Sequence, residues 1–401
     1  MTRLTRLSLL PLSALALVAS STFAAASPPA QTIELAICLD TSGSMNGLID
    51  SARARIWDII SDLATAQPAP KLRVALVTFG NDGHSAENGW TNVDIDLSTD
   101  LDLVSSKLFA LTTNGGTELV GRVVDKATKS LTWSTDPSTL KIMVVAGNES
   151  ADQDQDVKYQ DACKRAIGSG IAVNSIYCGA ETDDLVAAWK EVARLADGRS
   201  ACINQNSGVV AMETPFDAEL VALNASLNAT YLAYGESGQW SAANQVEQDY
   251  NAANMSSAVA AQRCAAKGSS NYANGHWDLV DACKSPDFKL ETVDVKQLPE
   301  AMRNLKPEER KAFVAVRATE RASIQAKIQE LSVKRAQFVA AELAKASPSD
   351  TSFERALRDA IRAQAMARGL TFPAAPTATP VSAPATTPTT PTTVSQGLNG
   401  C

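Results

Sequence analysis

IELAICLDTSGSM, residues 33–45, runs from an almost unbroken apolar segment straight into a short polar turn. Only Glu34 interrupts the hydrophobic part, which predicts a strand buried on both faces, as in a parallel sheet covered on each side. Directly after the turn, Leu48, Ala52, Ile56, Ile59, Ile60 and Leu63 recur at helical spacing and share one face. Strand, polar turn and amphipathic helix in that order predict the first unit of a doubly wound α/β domain.

The same alternation continues down the chain. KLRVALVTFG (71–80), LKIMVVAGN (140–148), IAVNSIYCG (171–179) and RSACIN (199–204) read as further strands. NVDIDL (92–97) alternates Val93, Ile95 and Leu97 with Asp94 and Asp96, which predicts an edge strand with one wet face. Leu119, Val123, Ala127 and Leu131, and then Tyr159, Ala162, Cys163, Ala166 and Ile167, repeat the helical period. A mostly parallel sheet of this kind collects its loops at the carboxyl ends of the strands, where ligands bind.

Asp40, Ser42 and Ser44 stand at that end of the first strand. One carboxylate and two alternate hydroxyls offer three hard oxygen donors within five residues, a set suited to a hard divalent cation. Alternatively, Asp, Ser and Gly after a strand can simply cap the next helix, with Asp40 or Ser44 taking up its free amides.

The Asp-x-Ser-x-Ser pattern in this place resembles the metal-ion-dependent adhesion site of the von Willebrand factor type A domain, and the resemblance covers residues 32–205. It implies a non-enzymatic binding module in which a divalent cation, Mg²⁺ first and Mn²⁺ or Ca²⁺ as alternatives, is completed by a carboxylate from a protein partner. Asp40, Ser42 and Ser44 fall on the first metal loop. Thr117, in Asn114-Gly115-Gly116-Thr117, falls on the second. Asn148, in Gly147-Asn148-Glu149, falls where the family carries an Asp, so it brings an oxygen without charge and implies weaker cation binding, unless Glu149 turns inward. A degenerate, metal-poor site on a retained scaffold is the reading opposed to this one.

Weaker signals accompany it. Asp152, Asp154 and Asp156 imitate the opening of a calcium loop but lack its turn glycine and closing glutamate, so they read as an acidic rim. Trp240, Trp277 and Tyr272 read as core aromatics ahead of a binding patch. No nucleophile and base stand in an arrangement suited to hydrolysis, and with only His84 and His276 in 401 residues a histidine-based centre has little to draw on.

Residues 1–26 carry Arg3 and Arg6 before an apolar run and end in Ala24-Ala25-Ala26, the pattern of a cleaved signal peptide. The expected product is exported, periplasmic or secreted, with no integral membrane segment after cleavage. Seven cysteines are then free to pair, and Cys264 with Cys283, or two of Cys163, Cys178 and Cys202, are the pairs to expect, Cys38 being a buried thiol.

Beyond the α/β domain, residues 206–299 read as a mostly helical extension and 300–369 as a charged helical segment. Within these, Leu220, Leu223, Leu227 and Tyr231 mark one helix, residues 235–275 give no clear period, and a long helix starts near Pro307. Its narrow stripe of Ile324, Ile328, Leu331 and Phe338 fits docking on its own chain, with a coiled coil as the alternative. Residues 370–401 form an uncharged Pro/Thr-rich tail ending in Cys401. The net charge of −8 hides 20 basic and 35 acidic groups in residues 27–299 against 14 and nine in 300–369. An acidic body argues against nucleic acid as a partner. The functional alternative is an envelope assembly component that uses the helical part and keeps the α/β domain as scaffold.

Overall fold

The computed structural model describes residues 32–203, 211–343 and 353–372. Residues 1–26, on which the expected signal peptide falls, most of the tail and Cys401 lie outside them.

Among the described residues, six strands form one sheet: β1 (Thr32–Asp40), β2 (Lys71–Phe79), β3 (Thr91–Ser98), β4 (Leu140–Gly147), β5 (Ile171–Tyr177) and β6 (Ser200–Cys202). Their spatial order is β3-β2-β1-β4-β5-β6, and every pairing is parallel except the antiparallel β2–β3 edge. Helices α1 (Asn46–Leu63), α2 (Leu101–Ala110), α3 (Val120–Ser130), α4 (Tyr159–Gly168) and α5 (Val186–Arg194) join them. Alternate residues of β1 divide between two cores. Ile33, Leu35, Ile37 and Leu39 meet α1 and α2, while Ala36 and Cys38 meet the layer of α3, α4 and α5. Each layer seals one face of the sheet, so only the strand ends remain for a ligand.

The edge strand departs from its expected single dry face. The β2–β3 register shifts twice between Val74 and Val77. Val93 and Leu97 consequently pack with the α3 layer while Ile95 packs with the α1 layer, because a bulge reverses which face a residue presents.

Among the described residues, seven helices follow: α6 (Asp217–Asn228), α7 (Gly238–Met255), α8 (Ser257–Lys267), α9 (Leu279–Ala282), α10 (Glu300–Arg303), α11 (Pro307–Leu343) and α12 (Phe353–Ala367). The segment without a clear apolar period is helical because its buried face is polar. Ser241, Asn244, Gln245 and Gln248 of α7 are buried, with Gln248 accepting a hydrogen bond from Ser105 of α2 at 2.9 Å. Next to it, α8 places Arg263 and Lys267 inside the protein. Arg263 pairs with Asp102 of α2 at 2.8 Å and with Asp249 of α7, and its guanidinium lies 4.5 Å from the Trp57 ring centre of α1. The extension is therefore joined to the α/β domain by buried charge as well as apolar contact.

The long helix α11 packs on its own chain. Ile328 and Leu331 enter a cluster with Phe216, Leu220, Leu227 and Cys264, and buried Arg321 bonds Asp278, Asp281 and Thr230. The last helix, α12, returns to the α/β domain: Arg358 and Arg362 pair with Asp58 and Asp62 of α1, and Ile361 and Ala365 close the α1 core. Trp277 and Tyr272 are core residues, whereas Trp240 is 57% exposed.

The expected disulfides are absent, and the six described cysteines are free. The reason is placement. Cys264 is buried under α11 while Cys283 is exposed, and Cys178 packs in the α1 core whereas Cys163 and Cys202 pack across the sheet from it. Among the described residues no helix is long and apolar enough to cross a membrane.

Candidate metal centre

The polar turn after β1 is clamped before any ligand is considered. Thr41 donates its backbone N–H to Phe79 O at 2.8 Å and receives Asn114 N–H on its own carbonyl at 3.0 Å. Gly43 N–H reaches Gly115 O at 3.1 Å, and Asn81 Nδ2 bridges Thr41 O and Thr112 O. These bonds hold the Asp40–Ser44 turn against the Asn114–Glu118 loop, and Thr117 pairs with Gly80 at the end of β2.

Within this frame, Asp40 is fully buried and its Oδ1 accepts Ser42 N–H at 2.7 Å. The Ser42 and Ser44 hydroxyls lie 3.3 Å apart, and Asn148 Nδ2 donates to Ser44 Oγ at 3.0 Å. The structure thus brings Asp40, Ser42, Ser44 and Asn148 into one hydrogen-bonded group, with Thr117 in the adjoining loop. Glu149 is exposed, and its carbonyl is fixed by Trp189 Nε1 at 2.8 Å.

Helix capping does not account for the arrangement. The N-cap of α1 is Met45, and no side chain caps it.

Sequence reasoning missed Glu118, which follows Thr117 and is only 4% exposed. Its carboxyl group lies in hydrogen-bonding reach of Asp40 and Ser42. It lies just ahead of α3, whose N-cap is Leu119, and no pattern in the local sequence marks it as buried. Burial, then the Asp40 charge, pushes Glu118 up to about 8, and burial first of all pushes Asp40 up to about 6 against its Ser42 hydrogen bonds. Both shifts express negative charge placed out of water without a neutralising neighbour.

Three buried oxygens in this group have no hydrogen-bond partner: Asp40 Oδ2, Glu118 Oε2 and Asn148 Oδ1. Buried polar atoms are normally satisfied, so three orphaned acceptors in one place fit a cation. Hydroxyl and amide oxygens must share the work, since among the described residues no three His, Cys, Asp or Glu side chains form a metal-holding group.

Asp152, Asp154 and Asp156 form no second calcium loop. Asp154 takes Arg122 on both oxygens, at 3.0 and 3.1 Å, and also accepts the Asp156 and Val157 amides, so its acceptor capacity is used.

The family model for the von Willebrand factor type A domain matches residues 34–206. A search of curated proteins returned no match. Among solved structures, proximal thread matrix protein 1 from the mussel byssus, with a zinc-occupied MIDAS motif, is 14% identical over 45% of this chain and 44% of its own, with a TM-score of 0.35. The present chain thus spans less than half of that protein. The SpRpn10 VWA domain is 16% identical over 43% of this chain and 88% of its own, with a TM-score of 0.34. The pilus adhesin SpaC from Lactobacillus rhamnosus GG is 12% identical over 45% and 29%, also with a TM-score of 0.34. From the family match, and with a six-stranded sheet whose first strand ends at the Asp40 turn, residues 34–206 form a von Willebrand factor type A domain.

Proposed function

We propose that this is an exported, non-enzymatic binding protein whose type A domain captures an acidic group on a protein partner through a divalent cation. The observation that carries this reading is the set of orphaned buried oxygens on Asp40, Glu118 and Asn148 beside the Ser42 and Ser44 hydroxyls. Asp40, Ser42, Ser44 and Thr117 would hold the ion, and Asn148 would tune it. Mg²⁺ suits the hard donor set, with Mn²⁺ or Ca²⁺ as alternatives. When bound, the cation would supply an electrophilic contact for an outside carboxylate. Export rests on the signal-peptide pattern of residues 1–26.

The surrounding loops add a condition on the partner. Exposed Asp82, Glu87, Glu149, Asp152, Glu181 and Asp184 stand in the loops at the carboxyl ends of the strands, and they outnumber the nearby cations, which are Lys158, Lys190 on Glu181 at 3.5 Å and Arg122 on Asp154 and Asp156. Such a rim draws in cations and repels a uniformly acidic surface. The captured carboxylate would therefore sit among neutral or basic groups.

The test is retention of envelope proteins on immobilised full chain in Mg²⁺ and in EDTA. A partner held by wild type in Mg²⁺ is expected to be lost in EDTA, and lost from Ser42→Ala in both conditions. If Ser42→Ala in EDTA retained the partner as well as wild type in Mg²⁺, the cation would have no part in binding.

A further inference from the structure

The five residues that the family resemblance assigns to the ion carry one formal charge between them, on Asp40, because Asn148 is neutral. Yet a second carboxylate is buried at the same place. Glu118 is 4% exposed, packs against Asp40 and Ser42, and leaves Oε2 without a partner, as Asp40 leaves Oδ2. Among the described residues neither carboxylate forms an ion pair. Two carboxyl groups taken out of water side by side, with no lysine or arginine on them, can both carry their charge only at high cost unless a cation joins them.

The backbone makes room for this pair. Gly80, at the end of β2, has φ +81°, and a Cβ there would stand 2.7 Å from Asp40 Oδ1 and 2.9 Å from Glu118 Cγ. Any side chain at this position would push the two carboxylates apart. Glycine at a left-handed position gives the close approach without steric penalty. The Thr117 pairing with Gly80 then carries Glu118 inward on the next residue.

We propose that Glu118 is the second anionic ligand of the cation site, supplying from the Thr117 loop the charge that Asn148 does not bring from β4. The inference rests on the cation reading above and assigns the residue that sets its strength. Charge on the ligand set is a main determinant of affinity for hard cations, so the charge is relocated and the site is not degenerate.

The experiment titrates metal-free full chain with MgCl₂ and MnCl₂ in a calorimeter and records thermal unfolding in EDTA. Glu118→Gln is expected to bind about 10-fold or more weakly, while unfolding in EDTA at or above the wild-type temperature, since the repulsion is gone. The double variant Glu118→Gln with Asn148→Asp is expected to recover most of the affinity, because the charge returns on the other side of the ion. A Glu118→Gln protein that binds as tightly as wild type would overturn the role of Glu118 alone. A Glu118→Gln loss that Asn148→Asp leaves unrepaired would overturn the charge relocation. A wild type that takes up neither ion would overturn the cation reading and this inference with it.

Discussion

Arg263→Met is expected to lower the unfolding free energy by about 3–5 kcal/mol, the range for breaking a buried ion pair from one side. The reason lies in what the substitution leaves behind. Arg263 is 1% exposed and ties α8 to two other helices, to α2 through Asp102 at 2.8 Å and to α7 through Asp249 and the Gln245 carbonyl at 2.8 Å. Methionine fills most of the space and keeps contact with Trp57, but the Asp102 carboxylate, 3% exposed, would retain only the Tyr272 hydroxyl. Asp249 would still have Lys267 at 3.0 Å, so the loss should concentrate on the α2–α8 contact. Denaturant unfolding followed by circular dichroism measures it. A loss under about 1 kcal/mol, the scale of an exposed pair, would mean that the extension is not held to the domain through this group.

Asp40→Asn is expected to weaken Mg²⁺ binding by about 100-fold or more, since it removes a formal charge from the centre of the ligand set while keeping its shape. The fold should survive. Asp40 Oδ1 accepts one backbone amide, and the amide oxygen of asparagine can do the same. In EDTA the variant should unfold no earlier than wild type, because two crowded carboxylates become one. Equal Mg²⁺ affinity in the two proteins would remove Asp40 from the site.

The legibility of these features in the sequence differed by their physics. The sheet was readable because doubly buried strands leave runs such as Ile33–Leu39 and Ile142–Val145, and α1 was readable from a wide apolar stripe. The α2 and α5 helices carried shorter patterns and went unnoticed. The α7 helix was hidden because its buried face consists of Ser241, Asn244, Gln245 and Gln248, so burial and polarity do not separate there. No periodicity can show that Arg263, Arg321 and Arg335 lie inside, since each is buried only by finding an aspartate elsewhere in the chain. The return of α12 to α1 across 300 residues is invisible for the same reason.

At the site, the Asp40–Ser44 turn was legible because its donors are close in sequence. Glu118 was not, because its burial follows from Gly80, 38 positions away, having no side chain. The difference matters for the strength of the site: read from the turn alone it carries one charge, and read from the folded loops it carries two.

The measurement that bears most directly on this account is calorimetric titration of the metal-free wild-type chain with Mg²⁺, paired with its thermal unfolding. One saturable site per chain is predicted, with unfolding shifted upward by added Mg²⁺. At 100 times the dissociation constant the added stability should be about 2.7 kcal/mol, and Asp40→Asn at the same Mg²⁺ concentration should keep no more than about 0.4 kcal/mol of it. No heat on adding Mg²⁺, Mn²⁺ or Ca²⁺, together with an unfolding temperature that EDTA leaves unchanged, would contradict the claim that the Asp40, Ser42, Ser44 and Glu118 oxygens are arranged for a cation.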